Sequence, residues 1–119
     1  MKRFYYLSTC STCIRILKEI NLPTNFELID IKNSNIDSST LDFVSSIRGS
    51  YESLFSRKAM KYKSLGLNNT KLSEPDYRKF ILEEYTFLKR PVLIDGDRVF
   101  IGNAKETIVQ INQHIDELK

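Results

Sequence analysis

The sequence predicts an α/β fold, built as one domain over residues 1–119 with a helical insertion at about 37–88. Three observations predict it. The chain opens with a strand–helix–strand pattern, its middle is dominated by helical periodicity, and it closes with a hairpin followed by a helix. At 119 residues the chain fits a single domain of the usual ~100–150 residues. It is long enough to bury a core without cross-links.

Each element has its own signature. Residues 2–7 are rich in aromatic side chains and read as a short strand. Ser8 and Thr9 make a turn, and a helix over about 11–21 carries Ile14, Leu17 and Ile20 at helical spacing, with Ile16 adding breadth. Asn21-Leu22-Pro23 ends it. Residues 26–31 read as a second strand, so the opening unit implies a right-handed crossover and parallel pairing. The Ser- and Asn-rich stretch 33–40 reads as a loop entering a helix over about 39–47, with Leu41, Val44 and Ile47 on one face. Residues 51–65 hold one or two short helices that stop near Gly66. A further helix runs from Ser73, a candidate N-cap with Asp76 three residues on, to about Leu88. Residues 91–94 and 98–101 flank the turn signal Asp95-Gly96 and read as a hairpin. Asn103 and Glu106 resemble a capping box for a last helix with Ile108, Ile111, Ile115 and Leu118 as its buried stripe. The order β-α-β, helices, β-β-α is that of a thioredoxin-like fold with a helical insertion between its halves.

Composition excludes several functions. Apolar residues make up 41% of the chain and charged residues 28%, which is the balance of a globular domain. The formal charge of +3 is too mild for a dedicated nucleic-acid binder, and no direct nucleic-acid contact is expected. The longest apolar run is Phe4 to Leu7, far short of the ~20 residues of a membrane helix. The opening residues lack the apolar middle of a secretory signal, so a cytoplasmic location is expected. The only cysteines, Cys10 and Cys13, cannot make the disulfide framework of a secreted protein.

Cys10-Ser11-Thr12-Cys13 is the strongest chemical signal, because it falls between a strand and a helix. There the first sulfur meets unpaired N–H groups and the positive end of the helix dipole, which favour thiolate over thiol. An effect of about 0.3–2 kcal/mol brings a thiol of pKa about 8.5 towards about 7. Cys13, one helical turn on, can close a disulfide with Cys10. Half of a zinc site is the competing explanation. It needs two more ligands, no other cysteine exists, and the one histidine, His114, is distant in sequence. No metal or bound cofactor is expected. A buried, inert cysteine pair is the other alternative, opposed by the polar neighbours Ser11 and Thr12. His114 reads as a polar-face or boundary residue, and Arg57, Lys58, Lys61 and Lys63 as a solvated helix face. Arg90 precedes Pro91 at the start of a strand. A proline so placed is commonly cis, which holds Arg90 near Cys10.

YYLSTCSTC at 5–13, LFSRKAMKYKSLGL at 54–67 and FLKRPVLIDGDRVFIGNAKETI at 87–108 resemble the arsenate reductase (ArsC) family and its Spx relatives over nearly the whole chain. The resemblance implies a thioredoxin-like fold with the helical insertion. It implies that Cys10 attacks arsenate while Arg57 and Arg90 bind the oxyanion and the thiolate. A third arginine expected after the hairpin is replaced by Gly102, and Arg98 lies near it on the hairpin. Glutathione-linked reductases of this family lack the CxxC, whereas Spx-type proteins have it.

Three functions follow. The first is a thiol-dependent oxidoreductase of arsenate type, an enzyme with Cys10 as nucleophile and Cys13 as resolving thiol. Glutathione–glutaredoxin or thioredoxin would donate its electrons. The second is an Spx-like redox regulator that binds RNA polymerase, and the third is a general thiol–disulfide oxidoreductase on the same fold.

Overall fold

A computed structural model describes residues 1–119. The chain divides into two compact units. Residues 1–34 with 90–119 form a sheet-based unit, and residues 35–89 form a helical one.

The sheet unit contains β1 (Lys2–Tyr6), α1 (Ser11–Glu19), β2 (Glu27–Asp30), β3 (Val92–Asp95), β4 (Arg98–Ile101) and α5 (Lys105–Glu117). The strand order is β2-β1-β3-β4. β1 and β2 run parallel, as the strand–helix–strand reading requires, and β1–β3 and β3–β4 are antiparallel. Side chains alternate between faces of a strand. Register aligns Phe4 with Leu93 and Leu93 with Phe100. Ile16 from α1, its C-cap Ile20, Phe26, and Ile111 and Ile115 from α5 join the core that these three residues begin. Each apolar side chain of this size contributes about 1.5–3 kcal/mol when fully buried.

The buried line of α1 is Cys13, Ile16 and Ile20, whereas Ile14 and Leu17 are half-buried. The expected stripe was therefore rotated by part of a turn. Helical spacing alone admits either set, and the parallel strand on each side of α1 selects the first. The helix ends at Glu19 with Ile20 as its C-cap, and Asn21 takes φ +50°, a left-handed position that asparagine tolerates. The last helix corrects two further expectations. Its N-cap is Ala104, with no side-chain cap, so Asn103 and Glu106 do not form a capping box. Leu118 lies past the last helical residue and is 43% exposed.

The helical unit contains α2 (Ser38–Arg48), α3 (Met60–Ser64) and α4 (Glu74–Glu83), with 3₁₀ turns at Glu52–Leu54, Leu67–Asn69 and Tyr85–Phe87. Asp37 caps α2 through Thr40 N–H at 2.7 Å. Gly49 ends it at φ +98°, where a side chain would be strained. Leu41 and Val44 are fully buried, but Ile47 is exposed. Ser73 and Asp76 form the expected capping box. α4 stops at Glu83 rather than near Leu88 because Glu84 adopts an extended backbone. Phe87 and Leu88 are nevertheless buried. Phe55 is the centre of this unit's core. Its ring stacks on Phe87 at 4.9 Å and meets Tyr77 and Tyr62 edge-on at 5.0 and 6.0 Å. Phe55 and Leu88 also form an isolated antiparallel bridge.

No helix is long and apolar enough to cross a membrane.

Candidate active site

The strand–loop–helix entry positions the first sulfur. After β1, Cys10 N–H bonds Leu7 O at 3.0 Å, and Ile14 N–H then bonds Cys10 O at 3.2 Å. Cys10 is thus the N-cap of α1, with the extended backbone of that position. Small polar caps are usual there because the first N–H groups of a helix lack partners. A sulfur in that place can serve the same groups as a thiolate.

Both cysteines are free, and their surroundings differ. Cys10 is half-buried and Cys13 is 1% exposed. Burial opposes ionisation of Cys10. The Cys13 backbone N–H, the Cys13 thiol and the Arg90 guanidinium together outweigh it, and the Cys10 pKa falls below its ordinary value. The Cys13 N–H acts here without the geometry of a full capping hydrogen bond. For Cys13 burial prevails. The Leu7 N–H favours its thiolate, but burial and the neighbouring Cys10 push it up to about 11. The first sulfur is shifted towards its thiolate and the second is held as a thiol. Nucleophilic attack needs the thiolate, so the geometry distinguishes the two.

Arg90 comes from the opposite end of the unit's sequence. The Arg90–Pro91 peptide is cis. Gly102 N–H bonds Pro91 O at 2.9 Å, which ties the residue after the hairpin to the proline. The third arginine of the family pattern is therefore absent from a position on the backbone next to this peptide. Arg98 does not replace it. It lies in β4, opposite Asp95, with its guanidinium 5.4 Å from the centre of the Phe100 ring. Ser11 and Thr12 open α1 between the sulfurs, Ser11 exposed and Thr12 half-buried.

Arg57 belongs to the helical unit. Its Nη2 donates to Glu52 Oε2 at 2.7 Å and to Tyr77 Oη at 3.0 Å, and its guanidinium lies 5.7 Å from the centre of the Tyr77 ring. The carboxylate holds Arg57 firmly protonated. Of its basic neighbours, Lys61 pairs with Glu84 at 2.6 Å.

His114 departs from its sequence reading as a polar-face or boundary residue, because it is 7% exposed. Its Nε2 is 2.8 Å from Asp95 Oδ2, and Lys2 Nζ is 2.7 Å from Asp95 Oδ1. A carboxylate only accepts, so Nε2 carries the proton. Nδ1 has no hydrogen-bond partner. Register explains why the sequence hid this cluster. Lys2 is paired with Asp95 across β1–β3, 93 residues apart, and His114 reaches them from α5. No group of three or more His, Cys, Asp or Glu side chains is arranged to hold a metal ion.

A family model, described as the ArsC family, matches residues 5–111. The chain belongs to the ArsC family. Over 50 residues it is 42% identical to the arsenate reductase of Haemophilus influenzae, a match covering 42% of this chain. The aligned stretch spans only 43% of that relative's length. Among solved structures, an arsenate reductase from Vibrio cholerae superposes with a TM-score of 0.76 at 18% identity, covering 92% of this chain and 96% of the other. A Streptococcus mutans protein named as a possible arsenate reductase gives 0.73 at 25% identity, covering 88% and 92%. The fold of this ArsC-family chain is accordingly thioredoxin-like, as its element order predicts. The matched region includes Cys10, Cys13, Arg57 and Arg90.

Proposed function

We propose that this ArsC-family chain is a thiol-dependent reductase of arsenate type. The difference between its two sulfurs supports this best. Cys10 is half-buried at a helix N-terminus beside Arg90 and favours its thiolate, whereas Cys13 is buried and held as a thiol.

The Cys10 thiolate attacks the arsenic of arsenate and an arsenic-bound oxygen leaves as water, giving a sulfur–arsenic(V) adduct. Cys13 then attacks the Cys10 sulfur. The sulfur–arsenic bond breaks and its electron pair stays on arsenic, which leaves as arsenite, As(III). The Cys13 proton goes to the departing oxyanion. In sum, two thiols and arsenate give one disulfide, arsenite and water. An external thiol reductant, either glutathione with glutaredoxin or thioredoxin, returns the disulfide to two thiols. Arg90 and Arg57 bind the oxyanion, for which the planar fork of donors on an arginine is suited. The two units act in this reading as one domain, the helical one inserted at about 37–88, and Pro91 fixes the backbone that presents Arg90. Such chemistry suits a reducing compartment such as the cytoplasm. The regulator reading, with RNA polymerase as partner, is less favoured because the 42%-identical relative above is an arsenate reductase.

The test is arsenate-dependent oxidation of each thiol donor, with Cys10→Ser and Cys13→Ser beside wild type. Turnover by wild type that Cys10→Ser abolishes is expected. Disulfide reduction indifferent to Arg57 and Arg90, with no arsenate turnover, would replace this reading with a general thiol–disulfide oxidoreductase.

A further inference from the structure

The loop that delivers Cys10 is not held by its own backbone alone. Two residues before Cys10, Ser8 N–H donates to Asp30 Oδ1 at 3.2 Å, and the Ser8 hydroxyl is the strongest influence holding the Asp30 carboxyl below its usual range. The same Oδ1 accepts Lys32 N–H at 3.2 Å, and Asn33 Nδ2 is 3.4 Å from Oδ2. Asp30 is the last residue of β2, aligned with Tyr6 at the end of β1. Ile31 N–H, donating to Tyr6 O at 2.9 Å, continues that parallel pairing one step beyond the strands. The pairing fixes where the carboxylate stands, and one side chain then closes the loops that follow both strands. Neither the periodicity of the sequence nor the cysteine motif assigns Asp30 any part in the chemistry.

We propose that Asp30 is a positioning residue for Cys10. It holds Ser8, and through the Leu7–Cys10 turn it keeps the Cys10 sulfur at the first N–H groups of α1. The proposal rests on the reading of Cys10 as the nucleophile, but not on arsenate as the substrate. Position and charge act in opposite directions here. A fixed loop favours the thiolate, because its partners Cys13 and Arg90 are direction- and distance-dependent. The negative charge of Asp30 acts the other way, since any repulsion of a thiolate disfavours it, and the neighbouring Lys32 reduces that charge's reach. The two effects can therefore be separated by substitution. Asparagine keeps an accepting oxygen and removes the charge. Alanine removes both, and glutamate keeps the charge but displaces the oxygen by one methylene.

The experiment titrates Cys10 in the reduced full-length chain, by thiolate ultraviolet absorbance and by the pH dependence of iodoacetamide alkylation located by mass spectrometry. Cys13, pushed up to about 11, stays out of the neutral range. In Asp30→Ala, Cys10 is expected to titrate roughly half to one pH unit higher, slowing alkylation at neutral pH about three- to tenfold. Asp30→Asn is expected within about twofold of wild type, since its oxygen still accepts from Ser8. Asp30→Glu should resemble alanine, and it serves in its place if alanine fails to fold. Two results would overturn the proposal. If Cys10 in the folded alanine and glutamate variants titrates as in wild type, Asp30 serves the fold alone. If alanine and asparagine both lower the titration, Asp30 acts only as a charge. No oxyanion is present, so failure of arsenate turnover leaves this result standing, and failure here leaves the turnover test standing.

Discussion

The two compact units of this chain hold their charged side chains in different ways. In the sheet unit, strand register holds two carboxylates. Asp30 stands at the end of one parallel pair, and Asp95 stands opposite Lys2 across an antiparallel one. Each carboxylate gathers several partners from separate segments, and Asp95 is only 12% exposed. In the helical unit the ion pairs join flexible side chains nearer to solvent. Arg57 and Glu52 are 46% and 54% exposed, and Arg78 and Asp42 are 38% and 45%. Exposed pairs of this kind contribute little, because solvent screens them. Orientation of Asp30 and Asp95 is therefore a property of the backbone, and that of Arg57 and Arg78 is a property of side chains that can exchange partners. A nucleophile needs the first kind of support. An arginine that receives a mobile anion can operate with the second.

Substitution of the sulfurs should show the largest effect. Cys10→Ser is expected to abolish turnover of arsenate with either donor, because a hydroxyl at this position does not ionise near neutrality. Cys13→Ser is expected to retain the attack on arsenate but stop at the adduct, or to depend on external thiol for release. Mass spectrometry of the trapped protein distinguishes these outcomes. Equal turnover by Cys10→Ser and wild type would remove the sheet unit from the chemistry.

Next in size are the two cores. Phe4→Ala in the sheet unit and Phe55→Ala in the helical unit each remove a fully buried ring, at an expected cost of about 3–5 kcal/mol. Urea unfolding followed by far-ultraviolet circular dichroism, with amide hydrogen exchange in parallel, measures both. If the units unfold as one, each variant lowers protection across residues 1–119. If Phe55→Ala loosens only residues 35–89, the contrast between the units extends to their stability.

Much of this arrangement is legible in the sequence. The Cys10 N-cap follows from a CxxC between a strand and a helix, the cis peptide from Arg-Pro at the start of a strand, and the α4 capping box from Ser73 and Asp76. These are local patterns, each decided by a few neighbouring residues. Asp30 and His114 were not legible, because their partners are set by register. Asp30 reaches back 22 residues to Ser8, and His114 reaches back 19 to Asp95. The capping box expected at Asn103 and Glu106 failed for a related reason. A short polar pattern names a candidate cap, but the tie from Gly102 N–H to Pro91 O decides how the chain enters α5. Ile47 and Leu118 show the same limit at helix ends, where apolar spacing continues past the surface that would bury it.

A smaller effect tests the best-buried charge of the sheet unit. Burial alone would raise the pKa of Asp95, but Lys2 and His114 outweigh it and hold the carboxyl below its ordinary value. A depressed folded-state pKa means that the ionised form stabilises the fold. That contribution is complete above the unfolded carboxyl's pKa of about 3.9 and is lost as pH falls through the lower folded value. Asp95→Asn should therefore cost about 1–3 kcal/mol at neutral pH, and the gap to wild type should close in acid. Urea midpoints measured across that range check both statements. A constant gap at all pH values would mean that Asp95 contributes shape and hydrogen bonds rather than charge.

The smallest expected effect lies in the helical unit and completes the contrast. Lys61 and Glu84 are 2.6 Å apart, with the lysine side chain 57% exposed and the glutamate 17%. The geometry of this pair is as close as that between Lys2 and Asp95, at 2.7 Å, so distance does not separate them. Solvent does. The ammonium of Lys61 keeps most of its hydration when the pair breaks, and freeing a long side chain returns rotamer entropy. Lys61→Ala is expected to change stability by no more than about 0.5–1 kcal/mol, and the change should shrink further in high salt, which screens an exposed pair. Lys2→Ala strips a partner from a carboxylate that is mostly buried and should cost more at every salt concentration. Paired urea titrations at low and high salt read the difference directly. Equal costs for the two lysines would show that close contact matters more than the environment of the pair, and the distinction between the two units would then have to rest on their backbones alone.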